Sequence, residues 1–280
     1  MRTSLDFPNH FGKTFAGGSS LAKGGTLHHL WAFLIGIGAG FLGGLFGKGG
    51  SAIATPLLSL AGYPGFIAVA SPLPATIPGT LIASWEYWQF NLLDWQIVWW
   101  SIAVGIPATI VGSLLTKFTG ARPLLLVTGI LVLGFGLTFL LSPREKKERV
   151  SSVPPPAEYR PSFWRIRLTL IATAVGIISG LLANAGGFLL APAYSRFLRQ
   201  PLKKSFACSL AVSAVLALPG TVVHAYLGHL SWAVTGLMAL GSVPFSFLGA
   251  RIAIRTKASR LERIYGVVLT LLGAYFLYQL

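Results

Sequence analysis

Gly47-Lys48-Gly49-Gly50-Ser51 interrupts one apolar stretch of this chain, and Ala183-Asn184-Ala185-Gly186-Gly187 interrupts another. Glycines precede each break at helical spacing: Gly36, Gly40 and Gly44 before the first, Gly176 and Gly180 before the second. A proline follows each at the same distance, Pro56 or Pro192. A helix that stops and restarts within lipid frees backbone N–H groups that hydrocarbon cannot satisfy, so such breaks must meet protein, water or a ligand. The segments after the breaks, 52 to 62 and 187 to 198, are too short to cross a bilayer. Most other apolar runs hold about 20 residues, enough for a hydrocarbon core of about 30 Å. The pattern predicts two re-entrant or broken helices whose ends face one shared site.

Composition decides the solvent. Hydrophobic residues make up 54% of the 280 positions and charged residues only 10%, with a mean hydropathy of +0.70. This is too little charge for a soluble surface, and the chain reads as an all-α, polytopic integral membrane protein. Its 22 basic residues against 7 acidic ones give a formal charge of +15. They cluster in loops and tails, as cytoplasmic loops of membrane proteins do, and do not form a nucleic-acid surface. The single cysteine, Cys208, excludes an intrachain disulfide and reads as a small packing residue. Residues 1 to 29 read as a flexible polar tail, and an apolar run starting near Leu30 lies too far in for a typical signal peptide.

The two breaks belong to two copies of one unit. Gly40, Gly44, Gly50 and Pro56 align with Gly176, Gly180, Gly186 and Pro192 at an offset of 136. After one added residue, Trp95, Pro107, Gly112, Gly129 and Gly136 align with Trp232, Pro244, Gly249, Gly266 and Gly273 at 137. The expected organisation is a membrane repeat over 30 to 142, a basic linker with Pro154-Pro155-Pro156 over 143 to 166, and a second repeat over 167 to 280. The basic clusters Arg196/Arg199/Lys203/Lys204 and Arg255/Lys257/Arg260/Arg263 share the linker's side only if the segment 166 to 198 enters and returns. Each half then crosses an odd number of times and the repeats are inverted, with Lys117 and Arg122 on the opposite side. Large inverted repeats are typical of transporters, with the site between the repeats.

Two nucleotide motifs are false leads. Gly38-Ala39-Gly40-Phe41-Leu42-Gly43 fits G-x-G-x-x-G, but lies in an apolar helix with no preceding strand and no acidic residue about 20 positions on. Gly47-Lys48 resembles the end of a P-loop, yet Gly49 stands where Ser or Thr is needed. Neither a cofactor nor a metal is expected, and no catalytic constellation appears.

The binding candidates surround the breaks. Helices restarting at Ser51 and Gly187 would point positive N-terminal ends at the site, which suits an anion. Lys48, Gly49, Gly50 and Ser51 form the first half-site; Asn184, Gly186 and Gly187 form the second. Lysine inside a bilayer costs about 2.5 to 3.5 kcal/mol on insertion scales, so Lys48 should face a cavity or partner. Ser71, Thr76, Ser209 and Ser213 are secondary donors, although such hydroxyls more often bond their own backbone. Glu86 and His224 are titratable groups in apolar runs and are the proton-coupling candidates, Glu86 having an interfacial alternative beside Trp85, Trp88 and Trp95.

Gly-x-x-x-Gly-Leu-Phe-Gly-Lys-Gly-Gly-Ser with Pro56, its counterpart ending in Pro192, the Asp94-Trp95 and Ser231-Trp232 loops, and Gly249-Ala250-Arg251 leading to Arg255 resemble the TauE/SafE family of sulfite exporter-like permeases. The resemblance covers residues 30 to 280. It implies a secondary transporter of the bacterial inner membrane, usually an exporter, for small sulfur-containing or organic anions such as sulfite, sulfoacetate and related carboxylates. Where Lys48 stands the family usually has a small or apolar residue, and it has a fuller glycine run where Ala183, Asn184 and Ala185 stand. Unequal half-sites follow. The expected partners are a small anion, the lipid bilayer and a second copy of the chain in a homodimer. An importer of the same architecture and a non-transporting partner or sensor subunit are the alternatives.

Overall fold

A computed structural model describes residues 25–47, 50–119, 121–141 and 163–279. Lys48 and Gly49, most of the N-terminal tail and most of the linker lie outside the described residues. Eleven α-helices run through the described part: α1 Gly25–Phe46, α2 Ser51–Leu60, α3 Gly65–Ala70, α4 Pro72–Gln89, α5 Trp95–Leu115, α6 Ala121–Leu141, α7 Trp164–Leu181, α8 Gly187–Phe197, α9 Leu202–Tyr226, α10 Trp232–Arg255 and α11 Ala258–Gln279. A 3-10 turn, Thr116–Phe118, extends α5, and no strand occurs among the described residues. Six spans are long and apolar enough to cross a membrane, at 27–46, 65–89, 95–118, 164–181, 202–226 and 232–255. Helix α1 starts at Gly25, so residues 25 to 29 of the expected tail are helical, and α7 starts at Trp164.

The apolar run 66 to 90 is built as two helices joined at Ser71. Pro72 and Pro74 explain the joint: proline in the first turn gives up an N–H that has no helical acceptor, and its ring disfavours continuation of the preceding helix. Large side chains face outward along the long helices, among them Trp99, Ile130, Leu170, Val222 and Leu240, as a lipid-facing surface requires.

Helices α1 and α2 form an antiparallel hairpin. The Tyr63 hydroxyl, just after α2, donates to the His28 carbonyl in the first turns of α1 at 2.6 Å. At the other end, a Cβ on Gly50 would meet the Ala39 carbonyl. The chain therefore turns back at the first break and leaves on the side where it entered. The second break turns the same way, for a Cβ on Gly186 would lie 3.3 Å from Val175, the position equivalent to Ala39. Gly47 and Gly186 have φ of +63° and +76°, a left-handed conformation that glycine adopts without steric cost. Ala183 adopts the same region at +47° and carries the penalty of its Cβ.

Packing between the halves is reciprocal. Helix α1 packs along α10, α7 along α5, and α6 along α11. A Cβ on Gly40 or Gly44 would collide with the backbone of Ser242 or Ser246 on α10. At the equivalent positions a Cβ on Gly176 or Gly180 would collide with Gly105 and Ala108, or with Thr109 and Ser113, on α5. Gly249 meets Phe41 and Gly112 meets Ile177; Gly136 meets Thr270 and Gly273 meets Leu133. Every one of these crossings joins one half to the other, with backbones as close as small-residue interfaces in lipid permit.

Candidate functional site

The two breaks touch. Ser51, first residue of α2, donates its hydroxyl to Asn184 Oδ1 at 2.7 Å, and the Ser51 oxygen accepts from the Ala185 N–H at 3.4 Å. Asn184 Oδ1 accepts a second bond from the Gly186 N–H at 3.3 Å. Ser51 is fully buried and Asn184 only 3% exposed. Helices α2 and α8 thus begin against one another and run apart. Their N-terminal ends, each carrying the positive pole of the helix dipole, converge on one point.

Several carbonyls at and before the breaks accept hydrogen bonds. The Tyr87 hydroxyl donates to the Gly44 carbonyl at 3.4 Å, and at the equivalent positions His224 Nε2 sits 3.1 Å from the Gly180 carbonyl. The Ser209 hydroxyl lies against the carbonyls of Gly47 and Phe206, the latter at 2.9 Å, and Thr116 donates to the Leu181 carbonyl at 3.2 Å. The Asn184 N–H takes the Ser179 carbonyl at 2.8 Å. The carbonyls of Gly44, Gly47, Ser179, Gly180 and Leu181 thus each lie against a side-chain or backbone donor. Among the described residues the Asn184 amide nitrogen makes no hydrogen bond, and the side chain's orientation is set by the two donors on its oxygen. An arrangement with spent acceptors and spare donors attracts a group that only accepts.

The remaining candidates fall in three places. Ser71 lies at the joint of α3 and α4, where its oxygen accepts from the Ser231 N–H at 3.0 Å and its carbonyl from the Thr235 hydroxyl at 3.1 Å, so it caps the start of α10. Thr76 donates to Leu73 of its own helix at 2.8 Å. Ser213 is fully buried with no hydrogen-bond partner. Gly50 and Gly187 flank the Ser51–Asn184 contact, whereas Lys48 and Gly49 lie outside the described residues.

Glu86 and His224 sit at opposite ends of the bundle. Glu86, 2% exposed, accepts from Arg251 Nε at 3.1 Å, and Arg251, 52% exposed at its side chain, places its guanidinium 4.8 Å from the Phe247 ring centre. This ion pair ties α4 to α10 across the two halves. Lys203 caps the same end of α10 through the Ile254 carbonyl at 2.6 Å. His224 meets His229, whose ring stacks on Phe66 at 4.2 Å. His229, in the loop after α9, has its basicity lowered by burial. Sequence reading passes over Arg251 as a partner for Glu86 and over the hydroxyls of Thr109, Ser113 and Ser179, because nothing in spacing alone tells a bonded hydroxyl from an orphaned one.

The sulfite exporter TauE/SafE profile matches residues 32–276, both breaks and both halves included. The chain belongs to the TauE/SafE family. Similar curated proteins are a probable membrane transporter protein of Xylella fastidiosa strain Temecula1, 28% identical and covering 86% of this chain and 91% of the relative, and YunE of Bacillus subtilis, 24% identical over 88% and 96%. YfcA of Escherichia coli K12 is 25% identical over 86% and 85%. Both YunE and YfcA bear the name probable membrane transporter protein. No solved structure matches. TauE/SafE membership together with six apolar spans makes this a multi-pass membrane transporter.

Proposed function

We propose that this transporter moves a small sulfur-containing or organic anion, such as sulfite, sulfoacetate or a related carboxylate, by alternating access, with export as its direction. The observation that carries the reading is the convergence of the α2 and α8 N-termini at Ser51 and Asn184. Two helix ends offer positive dipole there, while the carbonyls of Gly44, Gly47, Gly180 and Leu181 are already engaged. An oxyanion accepts at every oxygen and complements such a site. We assign it to Gly50, Ser51, Asn184, Gly186 and Gly187, with Lys48 and Gly49 as its sequence neighbours in the first half, and with Ser209, against the Gly47 carbonyl, and Ser213 as secondary donors from α9. The reciprocal crossings of α1 with α10 and α7 with α5 favour an inverted repeat whose halves rock about this point. Basic side chains at the Arg251 end favour a cytoplasmic orientation for that end, in a bacterial inner membrane. Coupling to a proton engages His224 in preference to Glu86, which is already committed to Arg251.

The test is counterflow of labelled sulfite into proteoliposomes holding the full chain alone, with thiosulfate, sulfoacetate and small carboxylates as competitors. Uptake that competes with these anions and is lost in Lys48→Ala and Gly50→Leu variants supports the reading. Absence of any counterflow by correctly inserted wild-type protein would favour a partner or sensor subunit instead.

A further inference from the structure

The duplicated halves differ in their aromatic surface. At the Arg251 end, the close of α4 and the starts of α5 and α7 carry Trp88, Trp95, Trp99, Trp100 and Trp164. The equivalent positions of the other half, at offsets of 137 and 136, hold Ala225, Trp232, Gly236, Leu237 and His28. Only Trp95 has a tryptophan as its mate. Anchoring at the membrane–water boundary alone places aromatic rings at both faces of a bundle, so this one-sided cluster has a further cause.

Two of its rings are built around an arginine. Trp100 Nε1–H on α5 donates to the Thr169 hydroxyl oxygen on α7 at 2.9 Å, and the Thr169 hydroxyl donates to the Arg165 carbonyl, also at 2.9 Å. These bonds fix the Trp100 ring against the first turns of α7. The Arg165 guanidinium lies 5.6 Å from the Trp100 ring centre and 5.7 Å from that of Trp164, close enough for cation–π attraction to both. Arg165 is exposed and pairs with no carboxylate among the described residues; Glu86 is held by Arg251, and Asp94 caps α5 and accepts from Gln200. Cation–π attraction consumes none of the five guanidinium N–H donors. The fork stays available to a bidentate acceptor such as a phosphate.

The surface beside this fork is apolar. Ile166 and Leu170, in the same first turns of α7, are 57% and 65% exposed, and Trp99 is 64% exposed. A soluble anion would use the guanidinium alone, whereas a phosphate that carries acyl chains uses both surfaces. Arg167, Arg196, Arg199 and Arg255 are exposed at the same end and raise its positive potential, which favours a headgroup of net negative charge over a zwitterionic one.

We propose that Arg165, clamped by Trp100 and Trp164, binds the phosphate of an anionic phospholipid whose acyl chains lie along Ile166 and Leu170, and that the second copy of the unit lacks this site. The site is separate from the Ser51–Asn184 junction and stands whether or not an anion is carried there.

The test is native mass spectrometry of the full chain in detergent with phosphatidylglycerol and phosphatidylcholine in competition. Wild type should retain phosphatidylglycerol in preference, and Arg165→Gln should lower that preference at least about fivefold, the effect of one basic residue at an anionic surface. Trp100→Leu and Trp164→Leu change no charge, yet each should lower it about two- to fivefold by releasing the guanidinium. Trp232→Leu, at the other end, should leave it unchanged. Arg165→Lys keeps the charge without the planar fork and should also lose preference, which covers the case of an Arg165→Gln chain that does not fold. Wild type without preference would overturn the proposal. So would tryptophan variants that match wild type, or Arg167→Gln and Arg199→Gln with the full effect of Arg165→Gln, since both describe a diffuse positive surface. Displacement of the bound lipid by excess inorganic phosphate would make this a soluble-anion site and overturn the lipid.

Discussion

Replacing Ser51 with alanine removes the hydroxyl that bonds Asn184 Oδ1 at 2.7 Å and receives the Ala185 N–H at 3.4 Å. The Asn184 amide oxygen then keeps only the 3.3 Å bond from Gly186, and its side chain loses its tie to α2. A buried hydrogen bond contributes about 1 kcal/mol net, and leaving a buried partner unsatisfied costs roughly 1–3 kcal/mol. If that energy is expressed in anion binding, sulfite affinity falls by about 5- to 140-fold, at about 1.4 kcal/mol for each tenfold. Asn184→Ala removes the same contact from the other side together with the spare donor, and should weaken binding at least as much. The two losses share one interaction, so the double variant should be weaker than wild type by about 1 kcal/mol less than the sum of the singles. Isothermal titration of sulfite into the purified wild type, both singles and the double gives the cycle. Additive effects would mean that the two breaks do not act together, and the reasoning would fail.

Other outcomes follow from the same geometry. Gly180→Ala should destabilise the protein by about 1–3 kcal/mol, because its methyl meets the Thr109 backbone and Ser113, whereas Gly38→Ala and Gly236→Ala, with nothing within 4 Å, should be neutral or stabilising by up to about 1 kcal/mol; thermal unfolding in detergent ranks them. Arg251→Ala should lower stability more than Glu86→Gln, since the first strands a buried carboxylate and the second leaves an arginine that is already half exposed. Burial lowers the His229 pKa below its ordinary 6.5, so its share of stability is complete at neutral pH. That share is lost as pH falls through the unfolded value, where the unfolded chain takes up more protons. His229→Gln should flatten the acid limb of the stability profile in that window.

The architecture was legible because membrane physics leaves strong marks. Two runs too short to span, each behind a glycine break, predict re-entrant elements, and Tyr63 bonded to His28 is the consequence in space. The pairing of Gly40 with Ser242 and of Gly176 with Gly105 needed coordinates, since spacing says that a face is small without naming what it meets. At the site, Ser51 and Asn184 could be named from the sequence, but their bond could not, because it joins residues 133 apart through the meeting of two helix ends. Ser71 shows the opposite case: a polar residue in an apolar run looks available for a ligand, and its actual duty is to hold the start of α10. Whether a hydroxyl is bonded depends on the register of a neighbouring helix, which is why Thr109 and Ser113 carried no signal in the sequence while the bonded Thr76 did.

Selenite is a heavier analogue of sulfite with an anomalous signal, and its position in crystals of the full chain tests the central claim most directly. The account predicts a peak at the convergence of the α2 and α8 N-termini, within hydrogen-bond reach of the Asn184 amide nitrogen. A peak found only elsewhere, for instance among the basic side chains around Arg251 and Arg255, would contradict it.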